Sequence, residues 1–122
     1  HPNGAIGLAE IAICAEDPAA TAKRLADVAA IEPEEKGPGI HALDLARGRV
    51  YVLAPDVVPK WANGVEAPAV PSVVGFGVRV SDLDATKRFL DAQGVDYHAH
   101  PYPAIWLDPS YGRGTVVSFI QG

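Results

Sequence analysis

Glu10 stands alone among apolar neighbours in the run Ala9-Glu10-Ile11-Ala12-Ile13-Cys14. On a strand, alternation puts Glu10, Ala12 and Cys14 on one face and Ile11 and Ile13 on the other. A carboxylate held out of water there has a raised pKa and can act as a general base. In water, or beside an arginine, it is an ordinary rim acid. Arg79 alternates in the same way with Gly75 and Gly77, whose missing side chains leave room for a ligand or a neighbouring backbone. Its guanidinium can clamp a carboxylate or phosphate with two parallel hydrogen bonds, or pair with Glu10 and neutralise both charges. His98 and His100 form an H-x-H that puts two imidazoles on one strand face, the start of a zinc site that needs a further ligand from elsewhere. Tyr97, Pro101, Tyr102 and Pro103 around them indicate an exposed, irregular strand end.

Other side chains are read with two roles each. His41 shares a face with Leu43 and Leu45, which marks a packing histidine, with general-base work as the other reading. Cys14 has no cationic neighbour in sequence and reads as a buried thiol rather than a nucleophile. Tyr51, Tyr97 and Trp106 can wall a small-molecule site or simply fill a core. Trp61 lies in a proline-rich stretch and serves either as a lid or as an interface residue.

Composition narrows the partners. Ten Lys and Arg against fifteen Asp and Glu give a net charge of −5, with no cluster of positive residues. Duplex nucleic acid and anionic membranes both require such a cluster, so neither is expected as a partner. One cysteine cannot form an intrachain disulfide, and no apolar run is long enough to span a bilayer. Gly112-x-Gly114 lacks the Lys-Ser/Thr of a phosphate loop, and no serine sits in a nucleophile elbow. The expectation is a cytoplasmic chain with a small organic ligand, no cofactor and room for a homodimer. The opening His1-Pro2-Asn3-Gly4 and the absence of any Met suggest a piece of a longer protein.

The elements that must position these residues repeat. EIAICAEDPAATAKRL at 10–25 and GFGVRVSDLDATKRFL at 75–90 align Asp17 with Asp82, Ala20 with Ala85, Thr21 with Thr86 and Leu25 with Leu90. Each copy opens with a period-2 apolar strand and an acid, then a helix of about ten residues. Asp17-Pro18 has the form of an N-cap and first-turn proline; Ser81, Asp82 or Asp84 caps the second helix. Strands follow at 40–46 and 49–54, and at 104–108 and 115–120, with shorter ones near 32–36 and 95–99. The fold class is therefore α+β, with two βαβββ modules at about 5–55 and 72–122 in one domain, 1–122. Residues 56–71 are the linker, and Pro55, Pro59, Pro68 and Pro71 argue against regular structure there. Paired mixed sheets would form a concave cup with the helices outside, and the cup would be the ligand site.

AEIAICAEDPAATAKRL, FGVRVSDLDATKRFL and LDPSYGRGTVVSFI in this arrangement resemble the vicinal oxygen chelate superfamily of glyoxalases, bleomycin-resistance proteins and extradiol dioxygenases. The opening HPNGA before a strand is similar to the later half of longer bacterial glyoxalase-like-domain proteins. The resemblance implies a divalent metal held by residues from the first and last strand of each module. Carried onto this chain, those positions are Glu10, Tyr51 or Val52, Gly75 and Ser118. Only Glu10 is an ordinary ligand, so no metal is expected. The resemblance then implies a small-molecule-binding domain without the usual ligand set, its candidate contacts being Glu10, Tyr51, Arg79, Trp106 and Ser118. Glu10 is the catalytic candidate. The alternatives are a metal-dependent lyase, isomerase or dioxygenase, and a degenerate assembly domain.

Overall fold

The computed structural model describes residues 1–67 and 69–122; Pro68, placed in the linker by sequence, lies outside the described residues. The chain forms two compact units, one of Glu10–Val74 and one of Gly75–Gly122 with His1–Ala9. Strand β1, Ala5–Cys14, contributes its first half to the second unit and its last half to the first. The class is α+β, and each module follows the βαβββ order.

In the first unit, β1 leads into α1 (Pro18–Ala29), then β2 (Glu34–Gly37), β3 (Ile40–Leu45) and β4 (Gly48–Leu53). The strands lie in the order β2-β3-β4-β1. β1 runs parallel to β4, and the other neighbours are antiparallel. Asp17 begins α1 by accepting a hydrogen bond from the Ala20 N–H at 3.1 Å. Ala22 and Ala26 are the buried residues of the helix. Their small side chains let it close onto Leu43 and Val52, both fully buried, with Val50 alongside. Ile11 and Ile13 are in register with Val50 and Val52, which bears out the alternation and turns both isoleucines toward α1.

The opposite face of this sheet does not stay bare. Residues 55–61, expected to be irregular, form a 3-10 turn at Pro55–Val57 that runs into the one-turn helix α2, Val58–Trp61. Pro55 and Pro59 fall in the first positions of these turns, where a missing N–H removes no hydrogen bond. That is why prolines that forbid a strand still permit a helical turn. Val57 and Val58 pack on Ala12, Cys14 and Leu53, with Trp61, Val65 and Val70 around them. Trp61 thus folds back onto its own module.

The second unit repeats the plan. β5 (Ser72–Val80) precedes α3 (Leu83–Ala92), β6 (His98–Ala99), β7 (Ala104–Leu107) and β8 (Val116–Gln121), in the order β5-β8-β7-β6. β5 and β8 are parallel; β7 is antiparallel to β8 and to β6. Leu83 and Leu90 of α3 pack on Val80, Ile105, Leu107 and Phe119. Of the three candidate caps, Asp82 is the one used: its carboxylate accepts from the N–H groups of Asp84 and Ala85. Thr86, fully buried, donates from its hydroxyl to the Asn3 carbonyl at 2.7 Å and ties the N-terminal arm to α3. Gly4 beside it has φ +83°, and a Cβ there would meet the Thr86 hydroxyl at 3.1 Å.

The caps differ in a measurable way. Asp82→Ala frees two N–H groups and Asp17→Ala one. In urea denaturation Asp82→Ala should lower stability by about 1 kcal/mol or slightly more, and Asp17→Ala by less. Equal losses would contradict this account of the second helix start.

Candidate functional site

The parallel pairing of β1 with β4 sets the site in the first unit. Glu10 is in register with Arg49, Ala12 with Tyr51 and Cys14 with Leu53, and Asp44 on β3 is in register with Arg49. Residues in register share a face, so Glu10, Arg49, Tyr51 and Asp44 stand together on the side opposite α1. Tyr51 and Val52, the two alternatives for this position, lie on opposite faces. Val52 is fully buried against Ala22 and Ala26, whereas Tyr51 lies on the face of Glu10.

Arg49 organises the group. Its guanidinium is ion-paired and hydrogen-bonded to the Asp44 carboxylate, and donates from Nη1 to the Tyr51 hydroxyl at 3.1 Å. It also lies over the Tyr51 ring, 5.7 Å from its centre. The Asp44 hydrogen bond first, and the Tyr51 one second, raise its pKa further and hold it protonated. Glu10 is half-buried, and loss of hydration pushes its carboxyl above 4.5, while the positive charge of Arg49 pulls the other way without cancelling the effect. Arg49 and Asp44 escaped the sequence reading. The signal was there: Arg49 and Tyr51 alternate on one strand, but their strand partner is visible only once the parallel register is known.

Lower on the same face, Cys14 is fully buried, and burial raises its thiol pKa, which keeps it an inert core group. His41 is half-buried and in register with Val52, on the α1 side.

In the second unit Trp106 is in register with both Ser118 and His98, and Ser118 with Gly77. These residues form one row across the sheet, on the side opposite α3. Trp106 and Ser118 are 5% and 3% exposed. The His98 ring stacks on Trp106 at 4.3 Å, and its Nε2 lies 3.1 Å from the Asp108 carboxylate. His100 stacks on Tyr102 at 4.7 Å and is tilted against Trp106 at 6.4 Å, and burial lowers its pKa. The H-x-H pair is therefore engaged with aromatic rings. Arg79, half-buried, is in register with Ile120, and its aliphatic stem lies against Gly122.

The metal positions implied by the resemblance do not suit a metal. The first unit supplies Glu10 and Tyr51, and the second supplies Gly75 and Ser118, a set with one ordinary ligand. Among the described residues no three His, Cys, Asp or Glu side chains converge. No helix is long and apolar enough to cross a membrane.

No protein-family model matches the chain, and no curated protein matches it in sequence. Solved structures do match. Methylmalonyl-CoA epimerase from Mycobacterium tuberculosis is similar at 20% identity and TM-score 0.67, over 97% of this chain and 89% of that one. The Streptomyces coelicolor epimerase, as an E43L variant in complex with 2-nitronate-propionyl-CoA, is similar at 17% identity and TM-score 0.64, over 97% and 95%. A hypothetical protein from Bacillus halodurans C-125 is similar at 15% identity and TM-score 0.65, over 94% and 93%. The fold is thus that of the vicinal oxygen chelate, or glyoxalase-like, proteins.

Burial raises the Glu10 pKa, so the folded chain holds that proton more tightly than the unfolded chain. The ionised form therefore costs stability, a cost absent below pH 4.5 and complete above the folded pKa. Glu10→Gln should melt above the wild type at about pH 8, and the gap should close as the pH falls to about 4. A variant that melts lower at high pH would show a net stabilising carboxylate and refute the assignment.

Proposed function

We propose that this chain is a glyoxalase-like domain that binds a small organic molecule over the Glu10–Arg49–Tyr51 face and moves a proton of that molecule without a divalent metal. One observation carries the reading: a half-buried carboxylate of raised pKa stands in register beside an arginine pinned by Asp44 and Tyr51. A base of raised pKa is better matched to proton abstraction near neutral pH. A fixed guanidinium can take the charge that develops on a carbonyl oxygen as the neighbouring C–H is broken. The proton passes to a Glu10 oxygen, the electron pair passes toward the carbonyl, and return of the proton completes the cycle. Arg49 and Tyr51 orient the ligand. On this reading the chain is one glyoxalase-like domain with modules at about 5–55 and 72–122, cytoplasmic and able to form a homodimer.

The second reading is a metal-dependent enzyme of the vicinal oxygen chelate type. The shared fold with methylmalonyl-CoA epimerases, one solved in complex with methylmalonyl-CoA and NH4+, favours an enzyme over a domain that only sequesters a ligand. The donor set favours the metal-free form of that enzyme.

Exchange of carbon-bound protons with D2O separates the two. The full chain, stripped with a chelator, is incubated with a panel of small carbonyl acids and thioesters that includes methylmalonyl-CoA. Exchange next to a carbonyl should survive chelation and fall by about 10²–10⁴ in Glu10→Gln, the usual contribution of a general base. Exchange that needs added Mn, Fe, Ni or Zn, with a matching rise in melting temperature, would make the metal-dependent reading the right one.

A further inference from the structure

The sheet face that carries Glu10 has a concavity at its other end. Pro38, Ile40, Asp56, Val57, Lys60 and Trp61 line a cavity of about 340 Å³, within the ~300–1,000 Å³ of small-molecule sites. Ile40 is in register with Leu53, and Glu10 with Arg49, so the two places lie about 13 Å apart along β4 at ~3.3 Å per residue. The wall is apolar, because Ile40 and Trp61 pack on the cluster of Leu53, Val57 and Val58.

Two opposite charges stand at its rim. Asp56 in the 3-10 turn and Lys60 in α2 are four residues apart in a continuous helical run, the spacing at which Asp and Lys usually pair. Among the described residues neither side chain makes an ion pair or hydrogen bond, and both are exposed. Both charges are therefore open to a ligand, and the apolar wall between them favours one with an apolar body.

We propose that this cavity binds a small zwitterion of the α-amino-acid type. Its ammonium group faces Asp56, its carboxylate faces Lys60, and its apolar side chain lies against Trp61, Ile40 and Val57. Solvated ion pairs contribute little each, so the apolar contact supplies most of the affinity and the two charges supply the selectivity.

The test follows the indole N–H signal of Trp61 in the ¹⁵N-labelled full chain, identified with Trp61→Phe. The chain is titrated with L-phenylalanine, phenethylamine and 3-phenylpropionate. L-Phenylalanine should move the Trp61 signal to saturation, with either single-charge probe about three- to fivefold weaker, the size of one exposed ion pair. Asp56→Asn should bring L-phenylalanine down to the level of 3-phenylpropionate, and Lys60→Gln to that of phenethylamine. Both variants should melt with the wild type, since neither side chain has a partner to lose. Glu10→Gln should bind the probes unchanged, which separates this site from the proton-transfer group. No saturable shift at Trp61, equal binding of the three probes, or variants that leave L-phenylalanine binding unchanged would each overturn the proposal.

Discussion

The parallel register of β1 on β4 is the constraint on which the first unit depends. With Glu10 beside Arg49, period-2 alternation sends Ile11 and Ile13 toward α1, and Ala12 and Cys14 toward the cover formed by Val57, Val58, Trp61, Val65 and Val70. A slip of one residue would turn Glu10, Ala12 and Cys14 under the helix and Ile11 and Ile13 away from it. The apolar content of the strand therefore selects one register, and that register is what brings a carboxylate to a guanidinium. Site and core are consequences of the same pairing.

The electrostatics of the group follow from how its members are anchored. Arg49 has two partners of its own, Asp44 and Tyr51, so it does not need Glu10 to satisfy its charge. Glu10 feels that positive charge but gains no hydrogen bond from it, and loss of water dominates its titration. A carboxylate left in this state holds its proton more tightly because the fold has compensated its neighbour and not the acid itself. The second unit shows the reverse arrangement. There His98 is engaged both by Asp108 and by the face of Trp106, and the position equivalent to Glu10 is Gly75.

Much of the architecture was legible in the residues. The match of Asp17 with Asp82 proved to be a match of function, since both cap their helices through the same N–H, that of Ala20 and of Ala85. Alternation alone placed Glu10, Ala12 and Cys14 on one face and Ile11 and Ile13 on the other, as the register of β1 on β4 has them. Arg49 was missed because its role depends on a strand neighbour nearly forty residues away in sequence, and such pairing leaves no local trace. The helical turn at 55–61 was missed because proline was weighed as a breaker of structure, when at the first positions of a turn it is permitted. Which of Tyr51 and Val52 turns toward α1 depended on the packing of Val52 under that helix, which no spacing rule supplies.

The central claim is that Glu10 is a desolvated base governed by Arg49. A carbon-detected NMR titration of the Glu10 carboxyl, in the wild type and in Arg49→Gln, tests it most directly. The account predicts a midpoint above 4.5 in the wild type and a higher one in the variant, where the lowering influence of the cation is gone. A midpoint at or below 4.5, unmoved by the substitution, would make Glu10 an ordinary hydrated acid and leave the proposed chemistry without its base.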